Sequence, residues 1–476
     1  MERCRFIAML VAALFLWTPI LTGCATNPVT GRQELRLVSD RTANDMGKRA
    51  YPQIRQEWGG DFNDPELADY ISKVGHKLAK MSQSPRLPYR FKVTNSSALN
   101  AVTLPGGKIF ITRGLLAEME NEAQLAAVLG HEIGHAVARH GQKAMTWDIV
   151  MQTAVIIAAS AADSNRTADR TAIEAGMVAA NLIRLGYSRK QELQADELGI
   201  DYMLKAGYHS DGAIQLQENL EKKDKKNRLL LASLMRSHPV SEARLSHVKW
   251  YAYSHEPGTA KYRKGDGFFE RRFKEKTKKA RRVTKASVHH ETALNYFKEK
   301  RKELAIEEIE KAIAIAPDYA EFYIFKGDVA ASQNDFSAAE TAYRKAAEVE
   351  PEYYKPHSRL GSLAARQKND DEVIRHHKKA ISLNRNNAVS YIESGYAYAN
   401  KEDFKNAATM LEVGTSLRPQ NVKAITKLGQ SYERTERPAD AASAYLRAVR
   451  AAPNNRSADI ARKRLEELTK HLRDRR

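Results

Sequence analysis

Hydrophobic and polar positions along the 476 residues follow three successive regimes. Behind Arg3 and Arg5 lies an uncharged, mostly apolar run from Phe6 to Ile20, ending at Leu21-Thr22-Gly23-Cys24. A basic start, a short apolar stretch and small residues before a cleavage point describe a secretion signal, and the run falls short of the roughly 20 apolar residues of a spanning helix. From about 61 to 255, helical and strand periodicities alternate. Leu125, Val128, Leu129 and Ile133 recur at helical spacing and predict one helix from Asn121 to Gly141. Asn100 to Leu104 and Lys108 to Thr112 flank Pro105-Gly106-Gly107 as a hairpin. A further helix is predicted over Arg189 to Ala206. Between the two helices, Ile149 to Ala162 is uncharged and too short to cross a bilayer; it reads as a buried helix, with a lid or a membrane-facing patch as the alternatives.

The third regime is periodic. Pro317, Pro351, Pro419 and Pro453 fall on a 34-residue grid, with Arg385 where one Pro is missing. Gly327, Gly361, Gly395 and Gly429 share the grid, as do Ala305, Ala339, Ala407 and Ala441, and then Ala312, Ala346, Ala380 and Ala448. Small residues at fixed places let paired helices approach closely, and Pro ends the second helix of each pair. The pattern resembles the tetratricopeptide repeat in about five copies over 286–455, with Ile460, Leu465, Leu468 and Leu472 marking a capping helix. Such repeats bind peptides rather than catalyse.

Composition adds two constraints. A formal charge of +19 suggests nucleic acid or an anionic membrane surface. No nucleic-acid reading motif is present and the N-terminus directs export, so no nucleic-acid partner is expected. The basic residues of 256–285 are read as a linker facing anionic lipid or water. The two cysteines are Cys4, lost with the signal, and Cys24, so no disulfide can form. Leu-Thr-Gly-Cys resembles the bacterial lipobox, which implies lipidation of Cys24. Ala25, rather than Asp, after it implies the outer membrane of a Gram-negative envelope. With disulfides excluded, a metal is the remaining stabilising device.

The first helix carries His131-Glu132-Ile133-Gly134-His135. Two histidines four apart stand about 40° apart around the axis, so both imidazoles reach one ion. Glu132 lies beside them, able to hold a metal-bound water and take its proton. A metzincin would need Gly and His where Ala138 and Gly141 stand, and His140 reads as a surface histidine. Glu192 and Asp196, also four apart, are candidates on the second helix. Glu192 can complete a zinc site, and Asp196 can accept the outer N–H of a ligand histidine. Alone, an acidic pair at this spacing is equally a solvated face.

Together these residues resemble the zinc metallopeptidase family of the CAAX prenyl proteases and HtpX, and most closely its members with C-terminal tetratricopeptide repeats. The family's metal-binding helix matches His131, Glu132 and His135. Its Glu-x-x-Ala-Asp pattern matches Glu192 to Asp196, and His-Pro-x-x-x-x-Arg-Leu matches His238 to Leu245. The resemblance implies one Zn²⁺ per chain on His131, His135 and Glu192, with Asp196 supporting a ligand histidine. It also implies Glu132 as catalytic base, and His238 and Arg244 as candidates to stabilise the developing oxyanion, Arg244 being otherwise an ordinary salt-bridged helix residue. It further implies that His238 can cap the resting zinc.

The expected fold is mainly α: an α+β, gluzincin-like zincin domain followed by an α-helical repeat solenoid. The expected segments are a lipoprotein signal (1–23), a lipid-anchored tether and entry segment (24–60), the peptidase (61–255), the basic linker (256–285), the repeats (286–455) and a cap with tail (456–476). The expected function is a periplasmic metalloendopeptidase, lipid-anchored to the outer membrane, acting on unfolded or stalled envelope proteins. In that reading the repeats recruit substrate or the outer-membrane assembly machinery. The alternative is a chaperone-like repeat adaptor whose peptidase is held shut.

Overall fold

The computed structural model describes residues 24–147, 186–226, 234–239, 241–263 and 265–474. Residues 1–23, expected as a signal, and the apolar stretch 149–162 lie outside the described residues. Among the described residues no helix is long and apolar enough to cross a membrane. The chain divides into two compact units between Thr284 and Lys285.

The first unit opens with strands β1 (Cys24–Thr26) and β2 (Gln33–Leu35), an antiparallel hairpin. Asn27 Oδ1 accepts from the N–H groups of Val29 and Thr30, and Gly31 takes a φ of 67° to close the turn. Helices α1 (Asp40–Glu57) and α2 (Pro65–Ala79) follow, each started by a side-chain cap, Ser39 and Asp64. Strands β3 (Arg90–Thr94), β4 (Ala101–Leu104) and β5 (Lys108–Thr112) form a sheet in the order β3-β5-β4. β3 runs parallel to β5, and β4 pairs antiparallel through the expected hairpin. Ala50 and Ile54 of α1 pack on Val102, Leu104 and Phe110 of the sheet.

Helices α3 (Arg113–Glu118), α4 (Glu122–Val137), α5 (Arg189–Lys205), α6 (Asp211–Lys226) and α7 (Glu242–Thr259) complete the unit with α8 (Glu270–Lys276). α4 and α5 cross with their backbones in contact. A Cβ on Gly199 would stand 2.7 Å from His131 N and 3.0 Å from Gly130 C. A Cβ on Gly134 would stand 3.0 Å from Ala195 O. Gly130, Gly134, Ala195 and Gly199 therefore form a seam of three glycines and one alanine, which brings the two helices closer than larger residues allow.

Three expectations are corrected here. The first helix ends at Val137 rather than Gly141, because Arg139 takes a φ of 59°, and residues 140–147 start a new helical run. That break turns His140 inward, to 0% exposure, so it is not a surface histidine. The entry segment is no free tether. Arg139 Nη1 donates to Thr26 O at 3.0 Å, and Lys143 pairs with Glu34 at 2.8 Å. The basic stretch is no loose linker either. Arg272 grips the buried Glu122 carboxylate at 2.5 and 2.6 Å, Phe273 is fully buried, and Arg281 donates to Ala117 O.

In the second unit, antiparallel helices pair as Ala320–Ser332 with Phe336–Val349, Tyr354–Arg366 with Asp370–Leu383, Ala388–Asn400 with Phe404–Leu417, and Val422–Arg434 with Pro438–Ala451. Helix Lys302–Ile315 precedes them and Arg456–Asp474 follows. The glycine column has a steric cause. A Cβ on Gly361 would meet the His377 ring at 2.6 Å, one on Gly395 would meet Leu411 at 2.6 Å, and one on Gly429 would meet Tyr445 at 2.5 Å. Lys300, Asn334, Lys368, Glu402 and Glu436 hold positive φ on the same grid, each ending a helix turn in left-handed geometry. Where Arg385 replaces proline, Asn384 Oδ1 accepts from Asn386 N–H and supplies the turn.

The helix crossing generates a direct test. Gly199→Ala forces backbone atoms apart and is expected to lower the stability of the first unit by about 1–3 kcal/mol. Urea unfolding should show a lower midpoint for that unit and an unmoved transition for the repeats.

Candidate metal centre

α4 is anchored at its start before its functional residues appear. The Asn121 side chain caps Gln124 N–H at 3.0 Å. The buried Glu122 accepts from Tyr70 Oη at 2.5 Å and Tyr208 Oη at 2.7 Å, besides Arg272. α5 begins with a reciprocal capping box between Ser188 and Gln191, which places Glu192 in its first turn. His238 follows a helical turn at 234–237, its N–H bonded to Leu234 O at 2.7 Å. Arg244 enters from the first turn of α7, where its N–H is capped by Ser241.

These elements bring His131, His135, Glu192 and His238 together, with potential ligand atoms all within 4.8 Å of one another. His131 Nε2 stands 2.9 Å from His135 Nε2, 3.2 Å from His238 Nδ1 and 3.6 Å from Glu192 Oε2. Glu192 Oε1 is 3.3 Å from His135 Nε2 and 3.0 Å from His238 Nδ1. Ligand atoms about 2.0–2.1 Å from zinc at tetrahedral angles stand about 3.3 Å apart, so the spacing fits a four-coordinate ion.

Proton placement supports the same fit. Asp196 Oδ1, 2.8 Å from His131 Nδ1, can only accept, so the proton sits on Nδ1 and leaves His131 Nε2 bare. His140 Nε2–H donates to Gln194 Oε1 at 3.0 Å, and its Nδ1 accepts from His135 Nδ1–H at 2.8 Å. His135 Nε2 is then bare as well. Two lone pairs facing each other at 2.9 Å repel unless they share a cation. Burial holds His135 well below its ordinary pKa, against a protonated ring there. Burial likewise brings His140 down to about 4, so it is a neutral acceptor. For Glu192 burial favours the neutral acid. The positive charge of His238 overcomes it and holds the carboxyl well below the usual range.

Around the donors, Thr103 of β4 donates its hydroxyl to Glu132 Oε2 at 2.7 Å, which orients the candidate base. His238 Nε2 is buried without a hydrogen-bond partner among the described residues and lies 3.5 Å from Glu132 Oε1. The Tyr187 ring stacks on His135 with centroids 3.9 Å apart. Arg244 is placed differently from the expectation of an oxyanion donor. Its Nε and Nη2 grip Asp196 at 2.6 and 2.8 Å, and its Nη1 lies 2.7 Å from Glu192 Oε2. Two buried carboxylates occupy the guanidinium, which positions the ligands. Against the penalty of burial, that guanidinium keeps Asp196 below its ordinary pKa. Cys24 opens β1, remote in role from this centre.

Sequence reasoning missed His140, Gln194, Thr103 and Tyr187. His140 was legible only as a histidine five residues after His135, and the backbone break at Arg139 decides its direction. The others carry no motif.

A buried His-His-Glu set on two crossing helices, with a glutamate beside it, defines the centre of a metal-dependent peptidase of the zincin class. Comparison agrees: residues 65–252 match the model of peptidase family M48, and the chain carries an M48 peptidase domain. Residues 286–319, 326–372 and 392–456 match tetratricopeptide-repeat models. The chain is 28% identical over 226 residues to mitochondrial metalloendopeptidase OMA1 of Schizosaccharomyces pombe, covering 47% of this chain and 64% of that protein. It is 27% identical over 277 residues to the beta-barrel assembly-enhancing protease of Yersinia pestis, covering 53% and 54%. It is also 29% identical over 191 residues to metalloprotease YcaL of Escherichia coli, covering 39% and 72%. The chain thus spans less than two thirds of the length of the first two.

The hydrogen-bond chain behind His135 is testable. His140→Leu removes the acceptor and is expected to weaken zinc binding about 10–100-fold in chelator competition. Gln194→Leu, one bond further out, should weaken it less.

Proposed function

We propose that this chain is a zinc metalloendopeptidase of the bacterial cell envelope that cleaves misfolded or stalled outer-membrane proteins. The observation that supports the chemistry best is the pair of bare imidazole nitrogens converging with Glu192 and His238. His131, His135 and Glu192 would hold the ion. Bound zinc would lower the pKa of a water and polarise the scissile carbonyl. Glu132, oriented by Thr103, takes the proton of the attacking water and passes it to the leaving amine. Asp196 and Arg244 keep His131 in the tautomer that presents Nε2.

The envelope assignment draws on the export-type N-terminus, on Cys24 as a lipid anchor to the outer membrane, and on likeness to a protein named for β-barrel assembly. In this reading the protein is periplasmic, and its repeats recruit unfolded substrates or assembly partners.

A second reading has one observation in its favour. His238 Nδ1 lies in the fourth ligand place, which a water needs for hydrolysis. A peptidase capped in this way is held shut, and the repeats would then act as a chaperone-like adaptor.

Glu132→Gln separates the two. It is expected to retain one zinc per chain and to lower cleavage of an unfolded protein by at least about 10³-fold. Zinc is read by metal analysis and cleavage by gel. Unchanged envelope function in cells carrying this variant would favour the adaptor.

A further inference from the structure

A partly open cavity of about 60 Å³ adjoins the metal centre. Its polar end is formed by His131, Glu132, His238 and the carboxylate–guanidinium pair behind them. The remainder is almost wholly apolar. Val128 lies one turn before His131 and Glu132 on α4, Ile200 and Met203 sit on one face of α5, and Leu216 and Leu220 come from α6. The exception is Gln217. It is 7% exposed, and its Oε1 has no hydrogen-bond partner among the described residues.

Two features distinguish this cavity from a packing defect. Voids in protein interiors are small and lined by matching apolar atoms, whereas this one opens beside the candidate base. A buried carbonyl oxygen without a donor is also unfavourable by about 1–3 kcal/mol, so Gln217 calls for an N–H that the described residues do not supply. A peptide substrate supplies both missing components, an apolar side chain and a backbone N–H.

Building on the peptidase reading above, we infer that this cavity is the specificity subsite. It receives one large uncharged side chain of the substrate, of the leucine, methionine or phenylalanine kind, beside the bond that is cut. Gln217 Oε1 accepts a peptide N–H of the same segment. Among the described residues the subsite carries no charge partner for an acidic or basic side chain apart from groups already committed around the metal, so charged residues are rejected. Folded proteins bury the side chains this cavity takes, and unfolded chains expose them. The subsite therefore selects unfolded protein through local chemistry, independently of the repeats.

The test uses the full zinc-loaded chain. Cut sites in a denatured protein are mapped by mass spectrometry, and peptides differing only at Leu, Ala or Asp are compared. Wild type is expected to cut with one large apolar residue always on the same side of the bond, and to prefer Leu over Asp at least about ten-fold. Leu216→Phe should shift the preference towards Ala and Val, and Leu216→Ala towards Phe and Trp. Gln217→Leu should lower kcat/KM for the Leu peptide about ten-fold with zinc content unchanged. A flat cut-site profile, or one unmoved in both Leu216 variants, overturns the inference. Binding of the same peptides to zinc-loaded Glu132→Gln, read by fluorescence anisotropy, keeps the two readings apart. Leu-over-Asp discrimination that Leu216→Phe removes supports the subsite even if wild type cuts nothing, and equal binding of the two peptides overturns it.

Discussion

The metal centre depends on two helices touching backbone to backbone. Gly130, Gly134 and Gly199 put no side chain between α4 and α5 and Ala195 adds only a methyl, so the axes approach until peptide groups meet. Only at that distance do Glu192 and the two histidines converge, because carboxylate and imidazole reach only a few ångströms from their own helices. A methyl group at Gly199 would collide with the backbone of His131 itself. The packing that stabilises the domain and the geometry of the site are therefore the same contact.

Electrostatics refines what this contact brings together. Burying three histidines, two ligand-side carboxylates and a guanidinium is unfavourable unless every group is answered. Here the outer nitrogen of His131 is taken by Asp196, that of His135 by His140, and Asp196 by Arg244. The inner nitrogens are left bare and directed at a common point. The hydrogen bonds act as a frame that removes protons from the ligand atoms before any ion arrives. A single proton between the imidazoles would satisfy one pair, whereas a divalent ion satisfies four donors at once. Burial, which lowers the pKa of His135 and His140, works in the same direction.

The repeats are built on a different principle. Each glycine of the 34-residue column seats an aromatic, histidine or leucine ring or branch from the partner helix, so small and large residues alternate across every pair. The turn residues of positive φ recur at the same spacing. Such a unit is specified locally, from one neighbour to the next. The peptidase unit draws its centre from segments more than a hundred residues apart.

That contrast decides what could be read from the chain before its fold. Local periodicity determined the repeats, the hairpin of β4 and β5, and the first turns of both metal-site helices, because those depend on residues within one or two turns. The spacing of His131, Glu132 and His135 determined the chemistry for the same reason. Tertiary structure alone decided the rest. Arg244 turned from a possible oxyanion donor to a clamp on Asp196 and Glu192, since two buried carboxylates attract a guanidinium more strongly than an open cleft does. His140 turned inward because one left-handed residue, Arg139, ended the helix early. The basic segment folded, because Arg272 had the buried charge of Glu122 to neutralise. For Arg244 and the basic segment the deciding partner lies far away in sequence, where no spacing rule reaches, and is brought near only by burial.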